Sequence, residues 1–296
     1  MAGDKILLEQ GTLWPRVVKV TTQALDAGAL RPIETTYDAL EECGVRFQIR
    51  VVSNLVRKKR ASAQKLSAPN HNPFLSYEPA MFVAEVTDTH ICLLNKYNVI
   101  DHHLLIVTRD FEQQETPLTG DDFLALWVCM AEFDGLAFYN SGISAGASQT
   151  HRHLQIVPLP LTRSGHGVPI ESVFDLEPRD GRVGTVRGLP FRHAFVALDP
   201  DWLASPIRTA AASLECYRTM LDKLATDTVK TPRARPGPYN LLVTRRWMLL
   251  VPRTQERFQS ISINALGFAG ALLVTDTRGV AVLREHGPMT ALVAVA

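Results

Sequence analysis

Two histidines and a glutamine alternate along one short segment of the sequence. His151, His153 and Gln155 are each separated by a single residue, and side chains two positions apart on a β-strand lie on the same face. Arg152 and Leu154 then point to the opposite face. Because three adjacent hydrogen-bonding side chains would be costly inside an apolar core, this spacing predicts a strand that lines a polar cleft.

A His-x-His pair alone is also compatible with other roles. Both histidines can be hydrogen-bonded residues of the interior, or they can supply half of a zinc or iron site, since neutral imidazole is a common metal ligand. The loop before the strand favours different chemistry. Gly146 and its small neighbours leave backbone N–H groups accessible, and Ser148 adds a hydroxyl, which together can cradle phosphate oxygens. A phosphate cradle followed by a two-histidine strand indicates phosphoryl or nucleotidyl transfer.

The composition is that of an ordinary globular protein with room for one large domain or two smaller ones. The chain has 296 residues, of which 46% are apolar and 21% are charged, and its net charge is +1. A chain so close to neutral has no global field that would attract nucleic acid or an anionic membrane. We therefore expect no nucleic-acid partner, and any affinity for phosphate must come from a local site.

The cysteine pattern and the beginning of the chain bear on its location. The four cysteines are scattered, with no Cys-x-x-Cys pair, which argues against a zinc knuckle and against a disulfide framework. The first ten residues lack the basic and apolar regions of a signal peptide. No apolar stretch reaches the roughly 18 residues that a membrane helix needs. We expect a cytoplasmic protein that has no membrane partner.

Patterns in the first half predict a strand-rich region between helices. Short apolar runs separated by turn residues predict an antiparallel meander. Thr119, with Asp122 three positions later, has the arrangement of a helix capping box. The predicted elements are an amphipathic helix over residues 4–30 broken near Pro15, strands over 45–51, 81–86, 90–94, 104–107 and 151–158, and a helix from Thr119 to about Gly135.

The second half is predicted to follow a loop-rich connection over residues 162–189. Beyond it we expect a strand over 191–198, a helix over 202–226 and a hairpin over 240–253. This hairpin resembles the sequence over 91–109. An internal duplication and a chance similarity between two hairpins both remain open. His193, on the predicted strand, is expected to have a structural role.

The segment from Gly146 to Gln155 resembles the active-site strand of the histidine-triad superfamily, which has three histidines at alternate positions. In the transferase branch a glutamine replaces the third histidine, as in galactose-1-phosphate uridylyltransferases and in ATP adenylyltransferases, also called diadenosine tetraphosphate phosphorylases. The flanking sequence is similar to the second group from about residue 45 to the C-terminus. The matching segments are residues 94–99, 103–108, 138–142, 238–242 and a stretch rich in small residues over 264–270.

The resemblance implies an α+β fold. Its parts are a histidine-triad-like antiparallel sheet with flanking helices and a C-terminal half that completes the site. The corresponding division is a catalytic half over residues 1–165, a connection over 166–189 and a C-terminal ATP adenylyltransferase domain over 190–296. The sequence leaves the oligomeric state open.

The resemblance also implies a mechanism. His153 attacks the α-phosphorus of a dinucleotide and carries AMP as a phosphoramidate while ATP leaves, and inorganic phosphate then releases ADP. A divalent cation, Mg²⁺, is expected to accompany the nucleotide. His153 must be neutral, so its other ring nitrogen should donate to a backbone carbonyl. Gln155 is expected to donate to a phosphate oxygen and His151 to orient the site. Neither His102 nor His103 is assigned a catalytic role.

Further positions match substrate contacts of the same family. Lys58 is expected to reach the polyphosphate, although Lys59 is an alternative and both can belong to a solvated basic surface. Thr275 departs from the pattern, because the family has a basic residue there. The expected substrate-binding residues are Lys58, Asn95, Lys96, Asn140, Gly146, Ala147, Ser148, Gln149, His151, Gln155, Asn264, Ala265 and Leu266.

Three other functions compete with this assignment. A hexose-1-phosphate uridylyltransferase shares the nucleophile and the strand, a nucleotide-binding regulator keeps the cradle without turnover, and a hydrolase uses water instead of phosphate. The flanking segments, and the absence of the cysteine pair that holds zinc in many uridylyltransferases, favour the phosphorylase. Its expected ligands are dinucleoside polyphosphates, ATP, ADP and phosphate.

Overall fold

The computed structural model describes residues 5–52, 72–162, 165, 167–176, 181–226 and 237–296. The helices in these ranges are α1 (Leu13–Asp26), α2 (Gly120–Met130), α3 (Pro206–Thr226), α4 (Ala265–Phe268), α5 (Thr277–His286) and α6 (Pro288–Val295). The strands are β1 (Thr35–Glu42), β2 (Val45–Val52), β3 (Phe82–Glu85), β4 (His90–Leu94), β5 (Leu104–Thr108), β6 (Gly135–Ser141), β7 (His153–Pro158), β8 (Ala194–Ala197), β9 (Tyr239–Val243), β10 (Trp247–Pro252), β11 (Arg257–Phe258), β12 (Ile261–Ser262) and β13 (Ala271–Val274).

The described strands form a large sheet of eight strands in the order β3-β4-β5-β7-β6-β9-β10-β8. Every neighbouring pair in it is antiparallel. A second sheet has the order β1-β2-β13, in which β2 and β13 are parallel, and β11 pairs with β12. The predicted α+β fold with an antiparallel sheet is thereby confirmed. Because β6 pairs with β9, the large sheet contains strands from both sides of the connection expected at residues 166–189.

Side chains on the large sheet alternate between two cores. Along β6, Ala137 and Tyr139 pack into a core that includes residues of α1, α2 and α3, whereas Leu136 and Phe138 pack into a core that includes residues of α4, α5 and α6. Strands covered on both faces are apolar throughout, and every residue of β5 and β9 is buried. A polar side chain in this sheet therefore needs a hydrogen-bond partner.

Helix α2 begins as predicted but ends earlier. Thr119 accepts a hydrogen bond from the Asp122 amide (3.4 Å), and Asp122 accepts one from the Thr119 amide (2.7 Å), which is the reciprocal capping box. The predicted end near Gly135 is wrong, because Gly135 begins strand β6 and pairs with Pro158. A Cβ atom at position 135 would lie 2.9 Å from the Ile156 side chain, so glycine permits this close approach.

Two elements near the N-terminus differ from the sequence prediction. Helix α1 contains Pro15 in its first turn, where the missing N–H is not needed, so the predicted break at Pro15 is wrong. Strand β1 was not predicted, because none of its residues is buried and its half-buried and exposed residues alternate only in part. It forms a hairpin with β2 through Cys43 and Gly44, which have φ values of 52° and 78°, as two-residue hairpin turns require.

The second half keeps its predicted order with shorter elements. Strand β8 lies inside the predicted 191–198, and α3 begins at Pro206 because Pro200–Ala204 forms a 3₁₀ turn. The predicted hairpin is present as β9 and β10. In the part of the chain that the structure describes, no helix has the length and apolar character to cross a bilayer.

A buried polar junction joins residues from the two halves of the sequence. Asn140 on β6 accepts hydrogen bonds at Oδ1 from Asn240 Nδ2 (2.8 Å) and from the amide of Ala265 (3.0 Å). Asn240 Oδ1 accepts from the Arg253 guanidinium (2.5 Å), which also donates to the carbonyl of Val295 (2.9 Å). Burial lowers the pKa of Arg253 to about 10. The guanidinium is therefore charged at neutral pH and depends on these acceptors.

Replacing Asn240 with alanine should destabilise the fold. The substitution removes a donor to Asn140 and an acceptor of Arg253, and an unsatisfied buried polar group costs about 1–3 kcal/mol. We expect the free energy of unfolding in urea to fall by about that amount. The control Gln10→Ala, at an exposed position, should leave it unchanged. An Asn240→Ala variant as stable as the wild type would contradict the role of this junction.

Candidate active site

His153 begins strand β7 where the pairing of β7 with β6 has already stopped. β7 pairs with β5 as far as His153, but with β6 only as far as Gln155. The Gln114 side chain replaces the missing strand partner: it accepts from His153 N (2.8 Å) and donates to the His153 carbonyl (3.2 Å) and the Asn140 carbonyl (2.9 Å). Gln114, which sequence patterns did not single out, therefore fixes the His153 backbone beside a gap between the two strands.

The His153 imidazole is buried and neutral. Its Nδ1 donates a hydrogen bond to the His151 carbonyl (2.8 Å), which places the proton on Nδ1 and the lone pair on Nε2. Burial lowers the pKa of His153 to about 4, and the Phe74 ring packs with its centroid 5.0 Å from the imidazole. Within the described ranges Nε2 has no hydrogen-bond partner, so its lone pair is not used by the protein.

The hydrogen bonds of His193 show how His153 differs from a histidine with a structural role. The Nδ1 atom of His193 donates to the Phe191 carbonyl (2.8 Å), the same relation of two residues that His153 has to His151. Its Nε2, however, accepts a hydrogen bond from the Val186 amide (2.7 Å). Burial lowers the pKa of His193 as well, but its lone pair is already used. It therefore has the structural role expected from the sequence.

Both ring nitrogens of His151 are engaged by the protein. Nε2 donates to the Thr108 carbonyl (2.8 Å) and lies 2.9 Å from the Thr108 hydroxyl. Nδ1 accepts from the Asn72 amide (2.9 Å), and Asn72 is held in turn because its Oδ1 accepts from Phe74 N (2.9 Å). Burial lowers the pKa of His151. These bonds leave no nitrogen for a metal ion and give His151 an orienting position beside His153.

His103 belongs to the site, although sequence reasoning assigned it no role. Its Nε2 donates to Gln155 Oε1 (2.9 Å), and its Nδ1 accepts from Asn95 Nδ2 (3.1 Å). Burial lowers the pKa of His103 to about 4, so the ring is neutral and this tautomer is fixed. Because His103 donates to Oε1 of Gln155, the amide nitrogen of Gln155 points away from His103. This nitrogen remains available as a donor. This contact depends on the strand register, which places Leu105 opposite Gln155. The register cannot be read from the sequence.

Charged residues lie on the opposite face of the same strand. Arg152 is 2% exposed, and its guanidinium contacts Asp122 (3.0 Å) and Glu112 (2.5 Å). Burial acts to raise the pKa of Asp122, but the hydrogen bond from His90 and the charge of Arg152 outweigh it and hold the pKa below its ordinary value. The ion pairs therefore anchor the strand between His151 and His153 and turn the Arg152 guanidinium away from both imidazoles.

The loop before His151 offers fewer amide donors than the sequence suggested. Gly142 and Gly146 have φ values of 89° and 86°, which turn the chain through a short 3₁₀ segment. The amide of Gly146 donates to the Ile143 carbonyl (2.8 Å) and that of Ala147 to the Gly142 carbonyl (3.1 Å). These two predicted phosphate donors are therefore used inside the loop. Ser148, which is exposed, and Gln149 keep amides that form no backbone bond in the described residues.

The predicted contacts of the C-terminal half lie against this loop. A Cβ atom at Gly146 would lie 2.8 Å from Asn264 Cβ, so the two segments touch through glycine. Asn264 caps α4 by accepting from the Leu266 amide (3.0 Å), while the Ala265 amide donates to Asn140 (3.0 Å). The predicted role of Asn140 in phosphate binding is thus limited, because its oxygen is committed to the junction and only its amide nitrogen can face a ligand.

Two further predicted residues, Asn95 and Lys96, lie in the turn after β4. Asn95 contacts His103, and Lys96 forms an ion pair with Glu78. Lys96 Nζ also lies 6.0 Å from the centroid of the Tyr97 ring. The predicted contacts Lys58 and Lys59 lie outside the described residues. Hydrogen bonds thus join Asn95 to His103 and His103 to Gln155, and His153 to His151. A second cluster contains Asn140, Gly146, Asn264 and Ala265, and Gln114 connects it to His153.

Comparisons with known proteins follow the two halves of the chain. Residues 3–176 match the family described as Ap4A phosphorylase N-terminal domain, and residues 187–296 match that described as ATP adenylyltransferase C-terminal domain. Diadenosine 5',5'''-P1,P4-tetraphosphate phosphorylase 2 of Saccharomyces cerevisiae is 27% identical over 246 residues, covering 72% of this chain and 72% of that protein. Protein APA1 of the same yeast is 29% identical over 208 residues, covering 62% of this chain and 61% of that protein.

Solved structures share the fold over almost the whole chain. The crystal structure of yeast Ap4A phosphorylase Apa2 has a TM-score of 0.80 at 21% identity, covering 98% of this chain and 95% of that one. The structure of the same yeast protein in complex with Ap4A also has a TM-score of 0.80, at 22% identity, and covers 98% of each chain. At these identities the likeness shows a common fold, and function is argued from the site.

The buried environment should keep His153 neutral in mildly acidic solution. We expect its imidazole ¹⁵N resonances to remain those of an Nδ1–H ring as the pH falls from about 8 to about 5, with protonation near pH 4. His153→Asn identifies these resonances by their loss. Because the ordinary pKa is 6.5, the stability that this ring contributes is complete above that pH and is lost as the pH falls towards 4. A midpoint near 6.5 would show that the ring is solvated.

Proposed function

Because the chain belongs to the Ap4A phosphorylase family, we propose that it is a nucleotidyltransferase that converts diadenosine tetraphosphate and phosphate into ATP and ADP. The observation that carries this proposal is the neutral imidazole of His153, whose proton is held on Nδ1 by the His151 carbonyl. Its Nε2 is thereby kept as a nucleophile. Gln155, two residues further along the same strand, keeps its amide nitrogen as a donor because His103 engages only its oxygen.

In the first half-reaction, Nε2 of His153 forms a bond to the α-phosphorus, and the bond from that phosphorus to the bridging oxygen breaks. ATP leaves with the electron pair of the broken bond, and AMP remains on the ring as a phosphoramidate. The imidazole gains a positive charge, which the His151 carbonyl stabilises through the Nδ1–H hydrogen bond. ATP is a good leaving group, so this step needs no proton donor.

In the second half-reaction, an oxygen of inorganic phosphate attacks the same phosphorus and the P–N bond breaks. Its electron pair returns to Nε2, ADP leaves, and His153 regains its neutral form. Gln155 suits both steps, because His103 holds its oxygen (2.9 Å) and leaves the amide to donate to an oxygen of the transferred phosphoryl group. An amide cannot deliver a proton, and neither step requires one.

We assign the polyphosphate chain to the space between the loop before His151 and the turn after β4. Ser148 and Gln149 supply amides on one side. On the other side Lys96 supplies a positive charge when a phosphate replaces Glu78 as its partner. Lys58 is a further proposed contact of the same chain of phosphates.

The charge of the polyphosphate calls for a cation in addition to lysine. We propose Mg²⁺ bound through phosphate oxygens. The described residues contain no group of three or more His, Cys, Asp or Glu side chains arranged to hold a metal ion, so no protein ligand is assigned to the cation.

We propose the cytoplasm as the setting of this reaction. The four cysteines are free thiols, of which Cys43 is exposed and Cys92, Cys129 and Cys216 are buried. Unpaired thiols are usual in a reducing compartment. Dinucleoside polyphosphates, ATP, ADP and phosphate are the proposed partners.

Phosphorolysis gives a direct test of the proposed function. Incubation with diadenosine tetraphosphate and phosphate should yield ATP and ADP in equal amounts. His153→Ala should lower the rate by at least about a thousandfold, because the nucleophile is removed. In the absence of phosphate, substrate labelled at the α-phosphorus should leave an alkali-stable, acid-labile label on the wild type and none on His153→Ala.

His193→Ala is the matched control, because it removes a buried histidine with the same bond from Nδ1 to a carbonyl. Its folded fraction should keep the label. Products that form without added phosphate would indicate a hydrolase. Faster turnover of UDP-glucose with galactose 1-phosphate would indicate a uridylyltransferase, and nucleotide binding without turnover would indicate a regulator.

Removing the His103 ring should lower kcat through Gln155. In His103→Leu the Gln155 oxygen loses its donor, the amide can rotate, and misplacement of a catalytic group costs up to about a hundredfold. His103→Gln, which can still donate, should recover part of the loss. The control His102→Asn alters the neighbouring ring, which contacts Thr21 instead, and should leave kcat unchanged. An unchanged kcat in His103→Leu would contradict the orienting role.

A further inference from the structure

A phenylalanine lies open to solvent directly beside the proposed active site. Phe111, on the segment between β5 and α2, is 47% exposed. Its ring centroid lies 5.4 Å from that of His151, with the two planes at 73°. The Phe74 ring also packs edge-on against His151, with 5.6 Å between the two ring centroids. Phe74 is 9% exposed, so it fills the interior, whereas nearly half of the Phe111 side chain is open to solvent.

The position of Phe111 is fixed by its surroundings. On the C-terminal side, the Glu112 carbonyl accepts from Arg152 N (2.8 Å), and Gln114 N donates to the Thr150 carbonyl (2.8 Å). The His151 ring beneath Phe111 is itself held at both nitrogens. The exposed ring is therefore a preorganised apolar surface on rigid backbone, and such a surface binds at low entropic cost.

The Phe111 ring lies at a distance that a nucleotide bonded to His153 can span. His151 and His153 lie two residues apart, about 6.6 Å along the chain, and the Phe111 ring contacts His151. A phosphorus atom bonded to His153 carries a nucleoside on one side and the remaining polyphosphate with its own nucleoside on the other. A nucleobase has a flat π-face, which stacks on aromatic side chains without regard to base identity.

We propose that Phe111 is a base-stacking platform for one adenine of the dinucleotide. The proposal rests on the function proposed above and adds a binding residue that takes no part in the covalent steps. The stacked adenine belongs either to the transferred AMP or to the departing ATP. The two adenines have the same chemistry, and the exchange of inorganic phosphate into ADP distinguishes them.

The first measurement is steady-state phosphorolysis of diadenosine tetraphosphate. Phe111→Ala should raise KM by roughly five- to a hundredfold, the range that base–aromatic stacking accounts for, and should leave kcat nearly unchanged, because stacking acts in both ground and transition states. Phe111→Trp should retain a low KM, whereas Phe111→Leu, which is apolar but not aromatic, should not. Ile207→Ala is the matched control, since Ile207 is an exposed apolar residue (60%) on α3.

The second measurement is exchange of labelled inorganic phosphate into ADP. This exchange uses only the half-reaction in which ADP and the AMP-enzyme interconvert, so it involves the transferred nucleoside alone. Loss of exchange at low ADP in Phe111→Ala places the adenine of AMP on the ring. Unchanged exchange together with a raised KM for the dinucleotide places the adenine of the leaving ATP there.

Either result supports the platform. A KM unchanged in Phe111→Ala, or a Phe111→Leu variant as good as Phe111→Trp, overturns it. A fall in kcat without a change in KM also overturns it, because the ring would then act only by supporting His151. Failure of the proposed function is a separate outcome, since it would appear as absence of phosphorolysis by the wild type.

Discussion

The site depends on one proton that remains on Nδ1 of His153. The acceptor of that proton is the main-chain carbonyl of His151, so the orientation of the imidazole is set by the strand itself and not by a mobile side chain. Several contacts hold this short stretch of backbone in place. Thr108 and Asn72 fix the His151 ring, and Gln114 occupies the His153 amide and carbonyl. The reactive nitrogen is left unbonded, whereas both nitrogens of His151 and the backbone of His153 already have partners.

Charge is kept on the far side of the same strand. Arg152 lies between the two histidines in sequence but turns to Asp122 and Glu112, since alternate side chains of a strand face opposite ways. The near side is formed by uncharged imidazoles, amides and the Phe74 ring. Burial among such groups lowers the pKa of His153 to about 4. Hydrogen bonds from uncharged donors to an incoming phosphate are stronger in such a buried environment than in water.

Period-two spacing was enough to place His151, His153 and Gln155 on one face, and the capping pair at Thr119 and Asp122 located the start of α2. The contacts of His103, Gln114 and Asn72 could not be predicted, because each depends on strand register or on a loop that returns from a distant part of the sequence. Strand β6 was missed because its apolar residues follow α2 without a clear break. Composition predicted a phosphate-binding loop before His151 but did not reveal that the amides of Gly146 and Ala147 bond within it.

The parallel pairing of β2 with β13 has a consequence for the synthesis of the chain. Residues 48–51 of β2 pair with residues 271–274, which lie more than two hundred positions later. Val45, Phe47 and Ile49 are fully buried in a core that includes the last helices. On the ribosome these apolar side chains are uncovered at least until residues 271–274 have been synthesised, which exposes the nascent chain to aggregation and to chaperone binding. Their sequence is therefore constrained by solubility during translation as well as by packing in the finished protein.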